Sequence, residues 1–314
     1  MIKIKLKEAK NLIIETIEQL DDDKWFKLAG SLSFYTMLSL APLLVVIIAI
    51  AGFIFGTDAA TGGIVSTLES YTGEKTAMVI QNVIKNASEP ETGLWATIIS
   101  SVIFMFASAT VFVDIKESLN IIWGVELKPG KPVKSFLKNR ITSFLMVLAT
   151  GFVLILSLFT NIIIRAISKY FSERLPHILP LLDWANNILF FILIAILFAI
   201  MFRYLPSVRV IWKYVWIGSI MTSFLFALGK YMISIYFAFS STASFYGASG
   251  SLVALLIWIY YSGVIFFFGA EFTQVYRNKY AGKILETKNS AIKVAKTSQL
   301  ITDVMQKNNK VEQP

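Results

Sequence analysis

The chain has 314 residues, 56% of them hydrophobic and only 16% charged, with a mean hydropathy of +0.66 and a net charge of +9. This apolar content lies outside the range of soluble globular domains and points to an integral membrane protein. Cysteine is absent and His177 is the single histidine, which excludes disulfides, thiolate nucleophiles and Cys-based metal sites. The positive balance is the Lys and Arg excess expected of cytoplasmic segments, not a nucleic-acid footprint.

Residues 1–27 alternate Lys and Glu around Leu6, Ala9, Ile13, Ile17 and Leu20, an apolar stripe that predicts an amphipathic helix on the bilayer surface. No cleavable signal is expected, because the first long apolar run starts near residue 28 and is too long. Hydropathy predicts an all-α membrane domain over residues 28–276 with six spans: 28–55, 94–113, 141–164, 185–201, 214–239 and 251–272. Lys and Arg number six in residues 1–27, six in 114–140, three in 202–213 and eight in 273–314. The alternate connections hold two (56–93), three (165–184) and none (240–250). This alternation predicts cytoplasmic termini. The outer loop 56–93 includes an amphipathic piece at 75–87, residues 114–140 with Pro129, Gly130 and Pro132 read as a turn between basic helix ends, and 277–314 reads as a basic, polar tail. Trp95, Trp123, Trp184, Trp212 and Trp216 fall near span ends, where interfacial aromatics belong.

Polar residues inside the spans fall on single helical faces: Ser31, Tyr35 and Ser39 before Pro42; Thr97, Ser101 and Ser108; Ser143, Thr150, Ser157 and Asn161; Ser219, Ser223, Lys230 and Ser234. Such faces either let helices pack closely or line a water-accessible cavity. Lys230, about sixteen residues into its span, is costly at that depth and calls either for an anionic ligand or transport path or for a structural role satisfied by carbonyl or Tyr partners or by snorkelling. Asp114 and Glu271 stand at predicted cytoplasmic ends.

Three segments carry a resemblance: AGSLSFYTMLSLAPLL (29–44), DIKESLNIIWGV (114–125) and YGASGSLVALLIWIYYSGVIFFFGAEFTQVY (246–276). In these the chain resembles the YihY/BrkB family of bacterial inner-membrane proteins. The resemblance implies a six-helix membrane protein, with a transporter or lipid-export role suggested for the family and an older ribonuclease BN label on some members. Ser33, Tyr35, Pro42, Asp114, Asn120, Tyr246, Gly250, Tyr260 and Glu271 stand in the matching motifs. The expected function is transport of an anionic or amphipathic solute, lipids included, with Lys230, Ser33, Tyr35, Pro42, Ser223, Ser234, Tyr246, Gly250 and Tyr260 contacting the substrate and Asp114, Asn120 and Glu271 forming a cytoplasmic gate. The alternative is a membrane scaffold organising envelope partners. A nuclease fits least, for metal-dependent hydrolysis needs gathered His or carboxylate ligands. No cofactor, metal or nucleic-acid partner is expected; membrane lipids are.

Overall fold

Segments that cross a bilayer must satisfy every backbone N–H and C=O internally, and helices dominate the computed structural model, which describes residues 6–56, 58, 61–66, 78, 81, 102–103, 106–127, 132–171, 179–239, 250–281 and 291–293. The long helices are α1 (Leu6–Asp22), α2 (Trp25–Phe55), α3 (Thr110–Ile122), α4 (Pro132–Phe171), α5 (Leu179–Tyr204), α6 (Trp212–Phe239) and α7 (Gly250–Ala281). Two short strands, β1 (Val125–Leu127) and β2 (Ala291–Lys293), pair antiparallel with Glu126 opposite Ile292.

Among the described residues, four stretches are long and apolar enough to cross a membrane: Trp25–Phe53, Arg140–Ser157, Trp184–Tyr204 and Leu255–Tyr280. They match the first, third, fourth and sixth expected spans. The fifth is realised as the 28-residue helix α6; most of the second, and the 75–87 piece apart from residues 78 and 81, lie outside the described residues.

Residues 114–140 depart from the expected turn. The helix continues through Ile122, turns at Gly124 with φ 59°, enters β1, and restarts at Pro132. Proline at a first helical position loses no hydrogen bond, because that N–H has no partner there. DIKESLNIIWGV stays helical because Ile115, Leu119 and Ile122 recur on one buried face. Trp123 is in the core at 1% exposure, not at the interface. The tail also departs from its expected form, since β2 ties residues 291–293 to β1.

The stripe expected on α1 divides between a protein-facing and an outward side. Leu12, Thr16 and Leu20 are buried, while Ile13, Ile14 and Ile17 are exposed. Leu12 packs with Tyr214 of α6 and Phe272, Val275 and Tyr276 of α7, so α1 closes over the end of the α6–α7 pair.

One large core joins α2, α3, α4, α5 and α7 through residues such as Ala29, Leu119, Val147, Phe202 and Phe267. Phe202 and Phe266 rings are 5.1 Å apart, bridging α5 and α7. Helices α6 and α7 run antiparallel: Gly218 lies against Thr273, Gly269 against Thr222, and Gly229 against Tyr261. In lipid, where burial of apolar surface drives little association, small residues that let backbones approach are what hold such a pair.

Candidate functional site

The three segments singled out in the sequence meet in space. Ser31 of α2 donates its hydroxyl to Asp114 Oδ1 of α3 at 2.7 Å. On the other side of α2, Gly263 of α7 sits where an added Cβ would lie 3.2 Å from Leu32 Cδ2 and 3.5 Å from Ala29 Cα. The first segment is therefore clasped between the second and third.

Asp114 is half-buried and lies beyond the candidate spans. Burial pushes its carboxyl above the ordinary value of 3.8, the Ser31 hydroxyl pulls it down, and Glu117 pushes it up again. An acid whose pKa is raised on folding binds its proton more tightly in the folded protein, so its contribution to stability is greatest at low pH and falls as pH rises above 3.8. Asp114→Asn should flatten that fall. Thermal denaturation across a pH series would show it, and an unchanged slope would remove Asp114 as the source.

Asn120, six residues beyond Asp114 on the same helix, accepts through Oδ1 the backbone N–H of Ser207 at 2.8 Å. This ties α3 to the α5–α6 turn, whose Leu205, Pro206, Ser207 and Val208 are buried. Truncation by Asn120→Ala leaves a buried donor without its acceptor, and about 1–3 kcal/mol of stability should be lost. Asn120→Asp, which keeps an acceptor oxygen, should lose less; equal melting of the two variants would show that the bond is not what matters.

Further polar side chains are embedded at the same end of the bundle: Lys116 and Ser118 on α3, and Glu271, Gln274 and Arg277 on α7. Glu271 is 0% exposed and lies within the span Leu255–Tyr280. Of the three residues expected as a gate, Asp114 and Asn120 lie on α3 and Glu271 on α7, helices that share the large core with the α5–α6 turn. Sequence reasoning missed Ser31's role as the carboxylate's donor, together with Lys116, Ser207, Gln274 and Arg277. The interval of 83 residues between Ser31 and Asp114 carries no local signal.

The other expected site residues are placed as follows. Ser33 is buried and donates to the Ala29 carbonyl at 2.7 Å. Ser223 is buried and donates to the Ser219 carbonyl at 2.8 Å. Tyr35 is on the outer surface of α2, edge-on to Phe34 at 5.6 Å. Pro42 is buried within α2, which continues past it. Tyr260 packs at the edge of the large core and Gly250 opens α7. Lys230 and Ser234 are helical positions of α6 whose side chains lie outside the described residues, as does Tyr246 entirely.

On α6 the hydroxyls of Ser219 and Ser223 close on carbonyls one turn back, the behaviour of packing seams. Helix α4 differs. Ser143 Oγ, fully buried, and Thr150 Oγ1 have no hydrogen-bond partner among the described residues; nor do Asp114 Oδ2 and Gln274 Oε1. Among the described residues no group of three or more His, Asp or Glu gathers in a metal-binding arrangement.

Comparison with known proteins places the chain in context. A family model described as Virulence factor BrkB matches residues 16–293. A UPF0761 membrane protein of Verminephrobacter eiseniae is 28% identical over 261 residues, covering 81% of this chain and 59% of the relative. One from Paraburkholderia xenovorans is 27% identical over 276 residues, covering 86% and 60%. One from Mannheimia succiniciproducens is 25% identical over 283 residues, covering 88% and 92%. The chain thus spans about three fifths of the length of the first two relatives. No solved structure matches it significantly.

Proposed function

Since the chain belongs to the BrkB family of multi-pass membrane proteins, we propose that it is a transporter moving an anionic or amphipathic solute, with membrane lipids in that class, through a polar path between its helices. In this reading six spans cross the bacterial inner membrane with both termini in the cytoplasm, and the protein is not an enzyme.

The observation that carries the proposal is a group of buried polar atoms without a protein partner among the described residues: Ser143 Oγ and Thr150 Oγ1 on α4 and Gln274 Oε1 and Tyr280 Oη on α7, within candidate spans, and Asp114 Oδ2 just beyond them on α3. In hydrocarbon an unsatisfied polar group costs several kcal/mol, so such atoms in a membrane bundle are a reason to expect water or substrate beside them. Lys230 supports the same reading from the sequence. It follows Gly229, which is seated against Tyr261 across the α6–α7 seam, and ionisable residues inside membrane helices commonly mark a solute or ion path.

Reconstitution into liposomes with labelled phospholipids and organic anions tests the proposal. Transport should be present in the wild type, fall about tenfold or more in Lys230→Met, and partly recover in Lys230→Arg, a loss on the order of 1.4 kcal/mol or more in barrier height. Full transport by Lys230→Met at normal protein levels would end the role of the charge.

The pairing of β2 with β1 favours one second reading, a scaffold that presents an ordered surface built from the tail and the α3–α4 connection. Deleting residues 280–314 separates the two. A scaffold loses its function, whereas a transporter keeps its flux in liposomes.

A further inference from the structure

The α5–α6 turn holds a group of aromatic and basic residues on the outer surface of the bundle, apart from the expected substrate residues. Trp212, Trp216 and Ile220 are exposed along one face of α6, Ile211 is exposed just before it, and Tyr204 is half exposed at the end of α5. The Tyr204 and Trp212 rings meet edge-on at 6.1 Å, and Trp216 follows Trp212 at 6.4 Å. The Arg203 guanidinium stands over the Trp212 ring at 5.9 Å and donates to the Val210 carbonyl. Arg209 and Lys213, which flank Trp212 in sequence, are exposed, and the Lys213 ammonium stands 5.8 Å from the centroid of the Tyr214 ring. No Asp or Glu occurs between Asp183 and Glu271.

We infer that this turn is a binding site for the phosphate headgroup of an anionic phospholipid, with Arg209 and Lys213 meeting the phosphate and Trp212 and Trp216 lying against the upper acyl chains.

Two properties of the site select a lipid over a soluble anion. Indole and phenol rings with one apolar and one polar edge settle at the level of the headgroups, and here they adjoin the end of the candidate span Trp184–Tyr204. The cations are also carried on a fixed turn. Its Leu205, Ser207 and Val208 are buried, and the Ser207 N–H is held by Asn120, so Arg209 and Lys213 are presented without the ordering cost that a mobile basic tail incurs. The inference does not depend on transport, since none of Arg209, Trp212, Lys213 and Trp216 is among the residues expected to contact the substrate.

The test uses the full chain in a neutral detergent, with binding read by native mass spectrometry and by thermal shift. Three probes are compared: phosphatidylglycerol, phosphatidylcholine of the same acyl chains, and inorganic phosphate. Phosphatidylglycerol should bind and stabilise more than phosphatidylcholine. The Arg209→Gln/Lys213→Gln double variant should weaken phosphatidylglycerol binding about tenfold or more, at roughly fivefold per lost surface cation. A control double variant of exposed cations elsewhere, Lys27→Gln/Lys279→Gln, should change it less than about threefold. Trp212→Ala should weaken both lipids without changing their ratio. An unaltered lipid preference in the folded Arg209→Gln/Lys213→Gln protein overturns the inference. So does an equal loss in the control variant, or stabilisation by inorganic phosphate as large as that by phosphatidylglycerol.

Discussion

Gly269→Val is expected to prevent stable assembly of the bundle. A Cβ at Gly269 would fall on the Thr222 hydroxyl oxygen and 2.9 Å from Thr222 Cβ, and one at Gly218 would meet Thr273 in the same way. The two sites are reciprocal. Thr222 donates to the Gly218 carbonyl and Thr273 to the Gly269 carbonyl, each at 2.7 Å, so each threonine is fixed on its own helix while its side chain occupies the notch of the other. Neither can rotate away without losing that bond, and the helices must separate. Overpacking ordinarily costs ~1–3 kcal/mol; with valine forced against a fixed neighbour the loss should reach the top of that range or exceed it. Gly30→Ala is the control, because nothing lies within 4 Å of its added Cβ and alanine favours a helix by ~0.5–1 kcal/mol. Thermal denaturation in detergent should show a large loss for Gly269→Val and none for Gly30→Ala. In a Gly269→Ala background, Thr222→Ala should restore part of the stability, since it removes the oxygen but leaves the Cβ in place. A Gly269→Val protein that melts with the wild type would show that the seam does not hold the pair.

The extent to which this architecture was readable depends on which solvent each residue meets. Long apolar runs such as Trp25–Phe53 and Leu255–Tyr280 were visible because length and hydropathy alone define a span. Inside and outside were harder to separate, because lipid is as apolar as a protein core. Phe34 and Leu38 are exposed while Ser33 and Ser39 on the same helix are buried, the reverse of a soluble helix. On α1 the expected stripe divides, with Leu20 buried in the protein beside Leu12 and Thr16, while Ile13 and Ile17 stay exposed as the apolar face of a bilayer-surface helix does. In sequence, residues 114–122 resemble a loop because Lys116 and Glu117 interrupt the apolar pattern, although Ile115, Leu119 and Ile122 keep helical spacing. Asp114, Asn120 and Glu271 could be picked out as unusual in type. Their partners Ser31 and Ser207, at separations of 83 and 87 residues, could not, since such contacts exist only once the helices are packed. The matched Gly-x-x-x-Thr spacings at 218–222 and 269–273 were present in the sequence, and only the antiparallel register of α6 and α7 turns them into one seam.

Glu271 supplies the second large effect, and one that separates a structural carboxylate from a working one. It is 0% exposed in the middle of α7's buried half, between Ala270 and Phe272 of two different core clusters, and it is engaged by an interaction within the protein. A cation there has neither water nor its counter-charge, so Glu271→Lys should cost several kcal/mol and fail to fold. Glu271→Leu removes the carboxylate from the interaction it makes, and where the other group is charged the loss is about 3–5 kcal/mol. Glu271→Gln is the informative change, for it keeps the volume and one acceptor oxygen while removing the charge and the titratable proton. A carboxylate that only holds the bundle together should then show a lowered melting temperature with transport reduced in proportion to the folded fraction. A carboxylate that gates the polar path should show near-normal melting with flux in liposomes lowered about tenfold or more, a change in the transport step of roughly 1.4 kcal/mol. We expect the second pattern, because Glu271 lies in the same segment as Gln274, whose Oε1 has no partner among the described residues, and three positions before it on the same helix. Flux per folded molecule equal to wild type in Glu271→Gln would assign the residue to architecture alone.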